Sequence, residues 1–346
     1  MRDTSYVVVL NYRGTEDTIA CLASLMNSRG ARFRVIVCDN ASGDGSLEGI
    51  SAWARGERPA LRPDHARLAR LVAADPSPVA FECIGEETAI SGKWRVQVPL
   101  TLVQNKENGG FASGNNVGIR LAMAQPDMHS LWLLNNDTLV EPDCLLRLRE
   151  RLAECDERAV VGNRIHFFDD PYTIQALGGN RFDRLTGAAS ESLGRFQPER
   201  LPRNIEHEEA QLHYISGCSM LLPRAFLDEV GLMNDDYFLY YEEIDWFTRA
   251  EQRFPCRIAD RAVLYHREGS AIGSANYDGG ASAFSEYHMY RSRLLFMRRY
   301  YPLYLPLAMS RGIAEAGLRV LQGRGANATA IIRSMLGLGF RQETAQ

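Results

Sequence analysis

A lone carboxylate follows an apolar run in the segment LWLLNNDTLVEPD, which covers residues 131–143. The apolar residues 131–134 predict a buried strand, and Glu141-Pro142 begins a segment typical of a helix start. Asp137 lies between the two. An aspartate in that position either caps a turn or helix, or binds a divalent cation at the end of the strand.

His266 is the second candidate metal ligand. It ends the apolar stretch CRIADRAVLYH and precedes a Gly-Ser turn, which distinguishes it from the other histidines of the chain. A lone histidine is more often structural than a ligand. If His266 lies across a cleft from Asp137, the two side chains could complete a divalent-cation site together with the phosphates of a ligand.

Three acids stand within four positions in YYEEIDWFTR, residues 240–249. Successive helical residues point about 100° apart, so Glu242, Glu243 and Asp245 cannot share one face. One or two of them can face a cleft, while the others cap the helix or form ion pairs, for which Arg249 follows Asp245 by one turn. A solvated first turn would also explain the acids, but the aromatic neighbours argue against simple exposure. A carboxylate among aromatic rings can have the raised pKa of a general base.

Polar segments also follow the second and third predicted strands. Asp39 is the last residue but one of RVIVCDN. It could accept a hydrogen bond from the imide N–H of uracil or thymine, or form an Asx-turn with Ser42. The segment NKENGGFASGNN contains Gly109-Gly110 before a helical pattern. These glycines either let the backbone approach a phosphate at a helix N-terminus or make a tight strand-to-helix turn. Their spacing matches neither a Walker A motif nor a dinucleotide fingerprint.

These residues are positioned by strands that alternate with helical patterns. Apolar stretches predict strands at residues 6–12, 34–40, 98–105 and 131–134. Strands that are apolar on both faces and separated by helices predict a parallel sheet, in which ligands bind at the carboxyl ends of the strands. The polar residues at those ends are Asn11, Asp39-Asn40, Asn105 and Asn135-Asn136-Asp137. Polar strand ends are common, so this pattern alone is equally compatible with ordinary turns.

Residues 51–97 interrupt the alternation. They are polar and rich in Arg and Pro, which predicts an insertion between the second and third strands, with a hairpin around GEETAISGKW. We expect a surface elaboration, with a part in acceptor binding as the alternative. Shorter strands follow from about residue 159, residues 183–210 predict a polar loop region, and the chain after residue 280 predicts Arg-rich helices.

The composition is that of an ordinary globular protein, with 45% hydrophobic residues and a net charge of −4, which gives no reason to expect nucleic acid. Residues 291–346 contain nine Arg, two Glu and no Lys, which suggests a tail that meets an anionic partner. The seven cysteines form no Cys-x-x-Cys pair, which favours a reducing compartment over a zinc or redox site. No signal peptide or membrane span is recognisable, so we expect a cytoplasmic location.

Six motifs in order resemble those of the family 2 glycosyltransferases of GT-A fold, particularly the bacterial rhamnosyltransferase-like branch. They are VVVLNYRG, VIVCDNASGDGS, NKENGGFASGNNVGI, LLNNDTLVEPDCL, YISGCSMLLPRAFLDEVGLMNDDYFLYYEEIDWFTRA and YHREGSAIG. The resemblance implies an α/β fold with a Rossmann-like mixed sheet flanked by helices. It also implies a catalytic domain at residues 1–280, with 51–97 as its insertion, and a C-terminal helical extension at residues 281–346.

The resemblance assigns roles position by position. Asn135-Asn136-Asp137 matches the DxD-type motif, so Asp137 is the expected metal ligand, with His266 as the distal ligand and Mg²⁺ or Mn²⁺ as the cofactor. Glu243 matches the catalytic base, a position that is commonly Asp, and Glu242 and Asp245 are the neighbouring catalytic candidates. The expected nucleotide-binding residues are Leu10, Asn11, Tyr12, Asp39, Asn40, Asn105, Gly110, Asn115 and Asn136, with Asp39 contacting the base.

The function implied by the resemblance is inverting transfer of a sugar. Rhamnose or another hexose would pass from a dTDP- or UDP-sugar to a hydroxyl of a glycan or lipid-linked acceptor in cell-surface polysaccharide synthesis. The 291–346 tail suits contact with the inner-membrane surface, which would make the protein peripheral there, and packing on the domain or a homodimer is equally compatible. Two other functions stay open: a nucleotidyltransferase of related fold, and a catalytically inactive sugar-nucleotide-binding protein.

Overall fold

The computed structural model describes residues 3–73, 78–190, 192–267 and 281–340. Within these residues a mixed sheet of ten strands crosses the molecule, and two short two-stranded sheets lie beside it. The strands are β1 (Thr4–Asn11), β2 (Phe33–Asp39), β3 (Phe81–Gly85), β4 (Leu100–Gln104), β5 (Met128–Asn135), β6 (Thr138–Val140), β7 (Val160–Phe167), β8 (Ile174–Leu177), β9 (Gly179–Asn180), β10 (Phe182–Asp183), β11 (Ala188–Ala189), β12 (Tyr214–Ile215), β13 (Ser219–Pro223) and β14 (Cys256–His266).

Helices lie on both faces of the large sheet, and three more follow the last strand. The helices are α1 (Thr15–Met26), α2 (Ser46–Ala54), α3 (Ala66–Ala69), α4 (Glu86–Ile90), α5 (Gly110–Met123), α6 (Cys144–Ala153), α7 (Ile205–Glu209), α8 (Arg224–Val230), α9 (Glu242–Ala250), α10 (Ala283–Tyr300), α11 (Leu305–Leu321) and α12 (Gly325–Met335). The domain boundary predicted near residue 280, part of the YHREGSAIG motif and the last six residues of the tail lie outside the described residues.

The first half of the sheet is parallel, as the strand–helix alternation predicts. β3, β4, β2, β1 and β5 are neighbours in that order, and every adjacent pair is parallel. Helix α1 connects β1 to β2, and α5 connects β4 to β5, which is the crossover arrangement that parallel neighbours require. The mixed α/β sheet flanked by helices confirms the predicted fold class.

The second half of the sheet mixes directions. β13 is antiparallel to β5 and β7, while β14 runs parallel to β7 and antiparallel to β6. β6 begins directly after Asp137, and β14 ends at His266. The antiparallel β6–β14 pair therefore places the two predicted metal ligands at one end of the sheet.

The predicted hairpin in residues 85–94 is wrong. β3 ends at Gly85 and pairs in parallel with β4, so it forms the edge of the sheet, and Glu86–Ile90 is helical. Glu86 and Glu87 occupy the first turn of α4, where the helix dipole favours acids. The insertion thus contributes a strand and a helix to the sheet rather than a separate hairpin.

The core has one large cluster on each side of the sheet. Along β1, Tyr6 and Val8 belong to the cluster beneath α5, α8 and α9, while Val7 and Val9 belong to the cluster beneath α1 and α6. Side chains of a strand alternate between faces, so a strand that is buried on both sides must be apolar throughout. This burial on both faces explains the continuous run YVVVL in β1.

Helices α10, α11 and α12 pack on one another around Tyr290, Ala316, Ala328 and Ile331. Phe296 and Met297 of α10 belong to the main core cluster, so this three-helix unit is joined to the sheet. Among the described residues, no helix combines the length and apolar character needed to cross a membrane.

Candidate active site

The carboxyl ends of the parallel strands meet along one edge of the sheet. Asn11 is paired with Asp39 across β1 and β2, and Leu10 is paired with Asn135 across β1 and β5. A cavity of about 690 Å³ opens at this edge, a volume in the usual range of small-molecule sites. The strand register therefore produces the polar crevice that the strand ends predict.

The fourteen predicted site residues divide into two groups. Eight line the cavity: Leu10, Tyr12, Asn40, Gly110, Asn136, Asp137, Glu243 and His266. The other six are buried behind it: Asn11, Asp39, Asn105, Asn115, Glu242 and Asp245. The cavity thus contains one acid from the predicted catalytic set and both predicted metal ligands.

Asp137 and His266 face each other at the end of β6 and β14. His266 is paired with Thr138 in the antiparallel ladder, and its Nε2 lies 3.1 Å from Asp137 Oδ1. The other ring nitrogen, Nδ1, lies 2.9 Å from Gln175 Oε1, which fixes the orientation of the ring. Although burial opposes protonation, the neighbouring Cys218 and Asp137 raise the pKa of His266 well above its ordinary value.

This pair fits a divalent cation. A carboxylate oxygen and an imidazole nitrogen converge within contact distance, and both are ligands that Mg²⁺ or Mn²⁺ accepts. In the described part of the chain, no cluster of three or more His, Cys, Asp or Glu side chains is placed to hold a metal ion. Two protein ligands would leave the remaining coordination positions to water or to phosphate oxygens of a bound ligand.

Glu243 is the acid of α9 that faces the cavity. Its carboxylate lies against Gly217, so closely that a Cβ at Gly217 would overlap it. Burial raises the pKa of Glu243, and hydrogen bonds from the backbone N–H groups of Glu243 and Gly217 oppose this only in part. A carboxylate with a raised pKa, held at a cavity wall, is suited to take a proton from a hydroxyl.

The two residues before α9 determine where this helix begins. Tyr240 and Tyr241 both have left-handed backbone conformations, with φ of 68° and 74°, which are strained for residues other than glycine. Their hydroxyls bond to other elements: that of Tyr240 to the Ser285 hydroxyl, and that of Tyr241 to the Gly187 carbonyl. These contacts hold the turn that presents Glu243 to the cavity.

Glu242 and Asp245 are not at the cavity. Burial and the neighbouring Glu243 raise the pKa of Glu242 well above its ordinary value, which favours its neutral form. Asp245 is ion-paired with Arg249 at 2.7 Å, which confirms the predicted pairing, and it accepts hydrogen bonds from Tyr237 and Tyr300. Both carboxylates are therefore buried behind the cavity wall, and Asp245 joins α9 to neighbouring aromatic residues.

Asp39 is enclosed by side chains of its own sheet edge. It is 2% exposed and accepts hydrogen bonds from Asn11 Nδ2 at 2.7 Å, Ser42 Oγ at 2.6 Å and Gln104 Nε2 at 3.1 Å. A nucleotide base could contact this carboxylate only if one of these donors moved. In the structure, Asp39 fixes the β1 and β2 ends, and the Asx-turn alternative with Ser42 is present as a backbone N–H bond.

Gly110, predicted to bind the nucleotide or to form a tight strand-to-helix turn, has a second neighbour besides the cavity. It lines the cavity, but its φ is 88° and a Cβ would overlap the carbonyl of Phe238, which accepts a 2.9 Å hydrogen bond from Phe111 N–H. The glycine therefore permits close contact between the start of α5 and the segment before α9. Asn40 supports the same turn through bonds to Asn108 Oδ1 and the Gly110 carbonyl.

Asn105 and Asn115 support this region from behind. Asn105 Nδ2 donates to Asn40 Oδ1 at 3.3 Å, and Asn115 Nδ2 donates to the Phe111 carbonyl at 3.0 Å. Asn136, at the cavity, donates to Thr18 Oγ1 at 3.0 Å. These amides position the strand ends and the start of α5.

Several residues of the cavity wall were not among the predicted site residues. They are Asn108, Asn180, Tyr214, Ser216, Gly217, Cys218, Phe238, Phe284 and Met289. Gly217 lies in YISGCSM, a run of small residues that precedes an apolar strand. Small residues let other side chains come close to the backbone, so this run could have indicated a contact at Gly217. Nothing local in sequence indicates Phe284 or Met289, since α10 reaches the cavity only through tertiary packing.

Comparisons with known proteins concern part of the sequence and the fold. Residues 96–231, somewhat less than half of the chain, match the model of the family described as glycosyl transferase family 2. The family 2 match includes the start of α5, the Asp137 motif and the segment with Gly217. It stops before α9 and His266, so the roles of those residues rest on the geometry described above.

One curated relative is the low-salt glycan biosynthesis hexosyltransferase Agl10 of Haloferax volcanii. The two sequences are 22% identical over 203 residues, which cover 59% of this chain and 62% of the relative. The alignment therefore spans less than two thirds of the relative's length.

Two solved glycosyltransferase structures show the same fold. The mannosyltransferase PcManGT from Pyrobaculum calidifontis, in complex with GDP-Man and Mn²⁺, superposes with a TM-score of 0.51 at 14% identity, over 98% of this chain and 77% of that one. GalNAc-T7 with UDP, GalNAc and Mn²⁺ gives a TM-score of 0.55 at 12% identity, over 87% of this chain and 49% of that one. At these identities the similarity concerns the fold, which is the GT-A type.

Proposed function

We propose that this protein is an inverting glycosyltransferase that moves a hexose from a nucleotide-activated donor to an acceptor hydroxyl. The observation that supports it most strongly is the convergence of Asp137, His266 and Glu243 on one cavity at the strand ends. The family 2 match, the hexosyltransferase relative and the fold are consistent with this chemistry.

The proposed reaction is a single displacement. Glu243 takes the proton of the acceptor hydroxyl, whose oxygen forms a bond to the anomeric carbon while the bond from that carbon to the diphosphate oxygen breaks. Attack from the face opposite the leaving group inverts the configuration. Asp137 and His266 would hold a divalent cation, which neutralises charge that develops on the departing diphosphate. The cavity walls orient donor and acceptor, and orientation accounts for a large share of such rate enhancements.

The finer identity of the substrates is part of the proposal. The rhamnosyltransferase-like motifs favour dTDP-rhamnose or a UDP-sugar as the donor, and the hexosyltransferase relative is compatible with another hexose. The acceptor would be a glycan or lipid-linked saccharide used in cell-surface polysaccharide synthesis. Phe238, Phe284 and Met289 give one side of the cavity an apolar wall, against which the non-polar face of a sugar ring can pack.

A thermal-shift titration tests donor binding. We expect dTDP or UDP with Mn²⁺ to raise the Tm of the purified chain by several degrees, since a ligand at about 100 times its Kd stabilises by about 2.7 kcal/mol. Asp137→Ala should remove most of the Mn²⁺-dependent part of the Tm shift. Asp235 is an exposed acid away from the cavity, so Asp235→Ala should leave that part unchanged. An equal shift with ATP, or an unchanged Mn²⁺ dependence in Asp137→Ala, would contradict the proposed site.

Turnover of candidate dTDP- and UDP-sugars tests the role of Glu243. Glu243→Gln keeps the size of the side chain but removes the base, so we expect turnover to fall by roughly 100-fold or more while the nucleotide-induced Tm shift persists. Glu48→Gln, at an exposed acid on α2, is the matched control and should retain full turnover. If Glu243→Gln remains active, Glu243 is not the base. If the wild-type chain binds donors without any turnover, the inactive sugar-nucleotide-binding alternative is correct.

A further inference from the structure

Helix α11 presents apolar side chains to the outside of the protein. Leu303, just before the helix, is 89% exposed, and Leu321, at its end, is 86% exposed. Between them the exposed large apolar residues are Tyr304, Leu307, Met309, Ile313, Leu318 and Val320. A monomeric soluble protein rarely exposes so continuous an apolar surface unless it binds something there.

The charged residues of α11 lie along one side of the helix, where Glu315 and Arg319 are half-buried and Arg311 is exposed. Arg311, Glu315 and Arg319 are four residues apart and so share one side of the helix. Arg311 bonds to Glu315 at 2.7 Å, and Arg319 bonds to Glu286 of α10 at 2.6 Å. Arg319 is bonded to a neighbouring helix and Arg311 is exposed. Because the large apolar residues of α11 also face outward, the helix lacks the polar outer face expected for a helix bathed by water.

The apolar surface continues onto α12 and the residues after it. Ile332, Leu336 and Leu338 are exposed, while Ala328 and Ile331 pack inward against the other two helices. We call the exposed apolar residues of 303–338 the outer face. It belongs to the three-helix unit whose α10 also supplies Phe284 and Met289 to the cavity wall.

The charge of this unit indicates what covers the outer face. Residues 281–340 contain eight Arg, two Glu and neither Lys nor Asp. Eight Arg and two Glu give the unit a net formal charge of +6. One of these arginines, Arg299, is ion-paired with Asp236 outside the unit. A surface that is apolar and positive complements anionic lipid headgroups above an acyl region. Two copies packed through the same face would instead bring like charges together.

We propose that the outer face lies in the interface of an anionic lipid bilayer, with the leucines and Ile313 in the acyl boundary and the arginines near the headgroups. Since no described helix is suited to cross a membrane, binding is peripheral and reversible. The same unit borders the cavity, so the bound protein holds its cavity near the lipid surface. This inference does not depend on the proposed sugar transfer.

Vesicle sedimentation with the full chain tests this surface. We expect binding to vesicles of phosphatidylcholine mixed with phosphatidylglycerol, and weaker binding to phosphatidylcholine alone. Added salt should weaken binding to the mixed vesicles without abolishing it, because the apolar part is not screened. The triple variant Leu303→Ser/Ile313→Ser/Val320→Ser should have an affinity for the mixed vesicles that is lower by roughly tenfold or more.

The matched control is Leu61→Ser/Leu185→Ser/Leu201→Ser, which changes three exposed leucines outside the unit and should bind as the wild type does. Circular dichroism and the nucleotide-induced Tm shift establish that both variants are folded. Equal binding by the wild type and the outer-face variant overturns the proposal, as does the absence of wild-type binding. A third result would also overturn the proposal: light scattering shows a dimer for the wild type and a monomer for the outer-face variant, and neither protein binds vesicles. A nucleotide-induced Tm shift without vesicle binding would overturn this inference alone.

Discussion

At the scale of single residues, the contact between Gly217 and Glu243 matters most for the proposed chemistry. The glycine leaves room for the carboxylate and donates a backbone N–H to it, while burial raises the pKa of Glu243. Glutamate has one more methylene than the aspartate common at this position, and the missing side chain at Gly217 provides the space for it. The longer acid therefore fits the cavity wall through a compensating small residue.

Gly217→Ala should displace the Glu243 carboxylate without disrupting the fold. The added methyl group overlaps the end of a side chain that can rotate away, so we expect unfolding free energy to fall by about 1 kcal/mol or less. Turnover should fall roughly tenfold or more, because a small misplacement of a base is costly to catalysis. Gly85→Ala, where an added methyl group meets nothing, is the control. Unchanged turnover in Gly217→Ala would separate this contact from the chemistry.

The sequence predicted these residues unevenly. Asp137, His266 and Glu243 could be found because each lies in a motif or at an unusual end of an apolar run. The enclosure of Asp39 could not, since Asn11 and Gln104 reach it only through the register of β1, β2 and β4. Likewise, helical geometry showed that the three acids must diverge, but only packing decides which of them faces the cavity.

At the scale of elements, the start of α5 and the segment before α9 form one unit. Gly110 has a positive φ, and the Phe238 carbonyl occupies the space where its side chain would be. On the other side, α10 holds the same segment, since Ser292 donates to the Leu239 carbonyl at 2.8 Å and Arg293 donates to the Tyr241 hydroxyl at 3.0 Å. The loop that positions Glu243 is thus fixed between two helices.

Gly110→Ala should destabilise the protein by about 2 kcal/mol or more, because the new Cβ meets backbone and cannot be relieved by a side-chain rotation. Gly43→Ala is an informative control: its φ is 64°, yet nothing lies near its Cβ position, so it measures the conformational penalty alone, about 1 kcal/mol. Chemical denaturation gives both free energies. Equal losses in the two variants would show that the contact with Phe238 is not tight in solution.

Helices and strands could be predicted where the local sequence pattern matches the burial that the element has in the fold. The parallel strands and their crossover helices follow from buried runs and helical spacing. A hairpin was predicted around GEETAISGKW, residues 85–94, but Glu86–Ile90 is a helix. Glu86 and Glu87 occupy its first turn, where the helix dipole favours acids. β3 gave no clear signal, since an edge strand is only half buried.

At the scale of the whole molecule, Asp245 joins the C-terminal helices to the sheet domain. It is fully buried and is bonded to Arg249 and Tyr237 near α9 and to Tyr300 at the end of α10. A buried acid with partners on both sides is a link between units rather than a participant in chemistry. Its position also explains why three acids occur together at the start of α9, although only one faces the cavity.

Asp245→Asn should lower the free energy of unfolding by about 3 kcal/mol, since it leaves the buried end of the Arg249 pair without its counter-charge. At temperatures where the variant is folded, the nucleotide-induced Tm shift should be that of the wild type. Asp228→Asn removes an exposed helical ion pair with Arg224 and should change stability by less than about 0.5 kcal/mol. A stable, inactive Asp245→Asn variant would return this residue to the catalytic set.

The antiparallel ladder between β6 and β14 determines when the site can exist during biosynthesis. The parallel strands β1 to β5, with their polar ends, are complete once the ribosome has passed residue 135, but the imidazole that faces Asp137 arrives only with the final strand of the sheet. Contacts between such distant parts of a chain form late. A nascent chain that ends before β14 therefore has the parallel strand ends but lacks the imidazole that faces Asp137 in the folded protein.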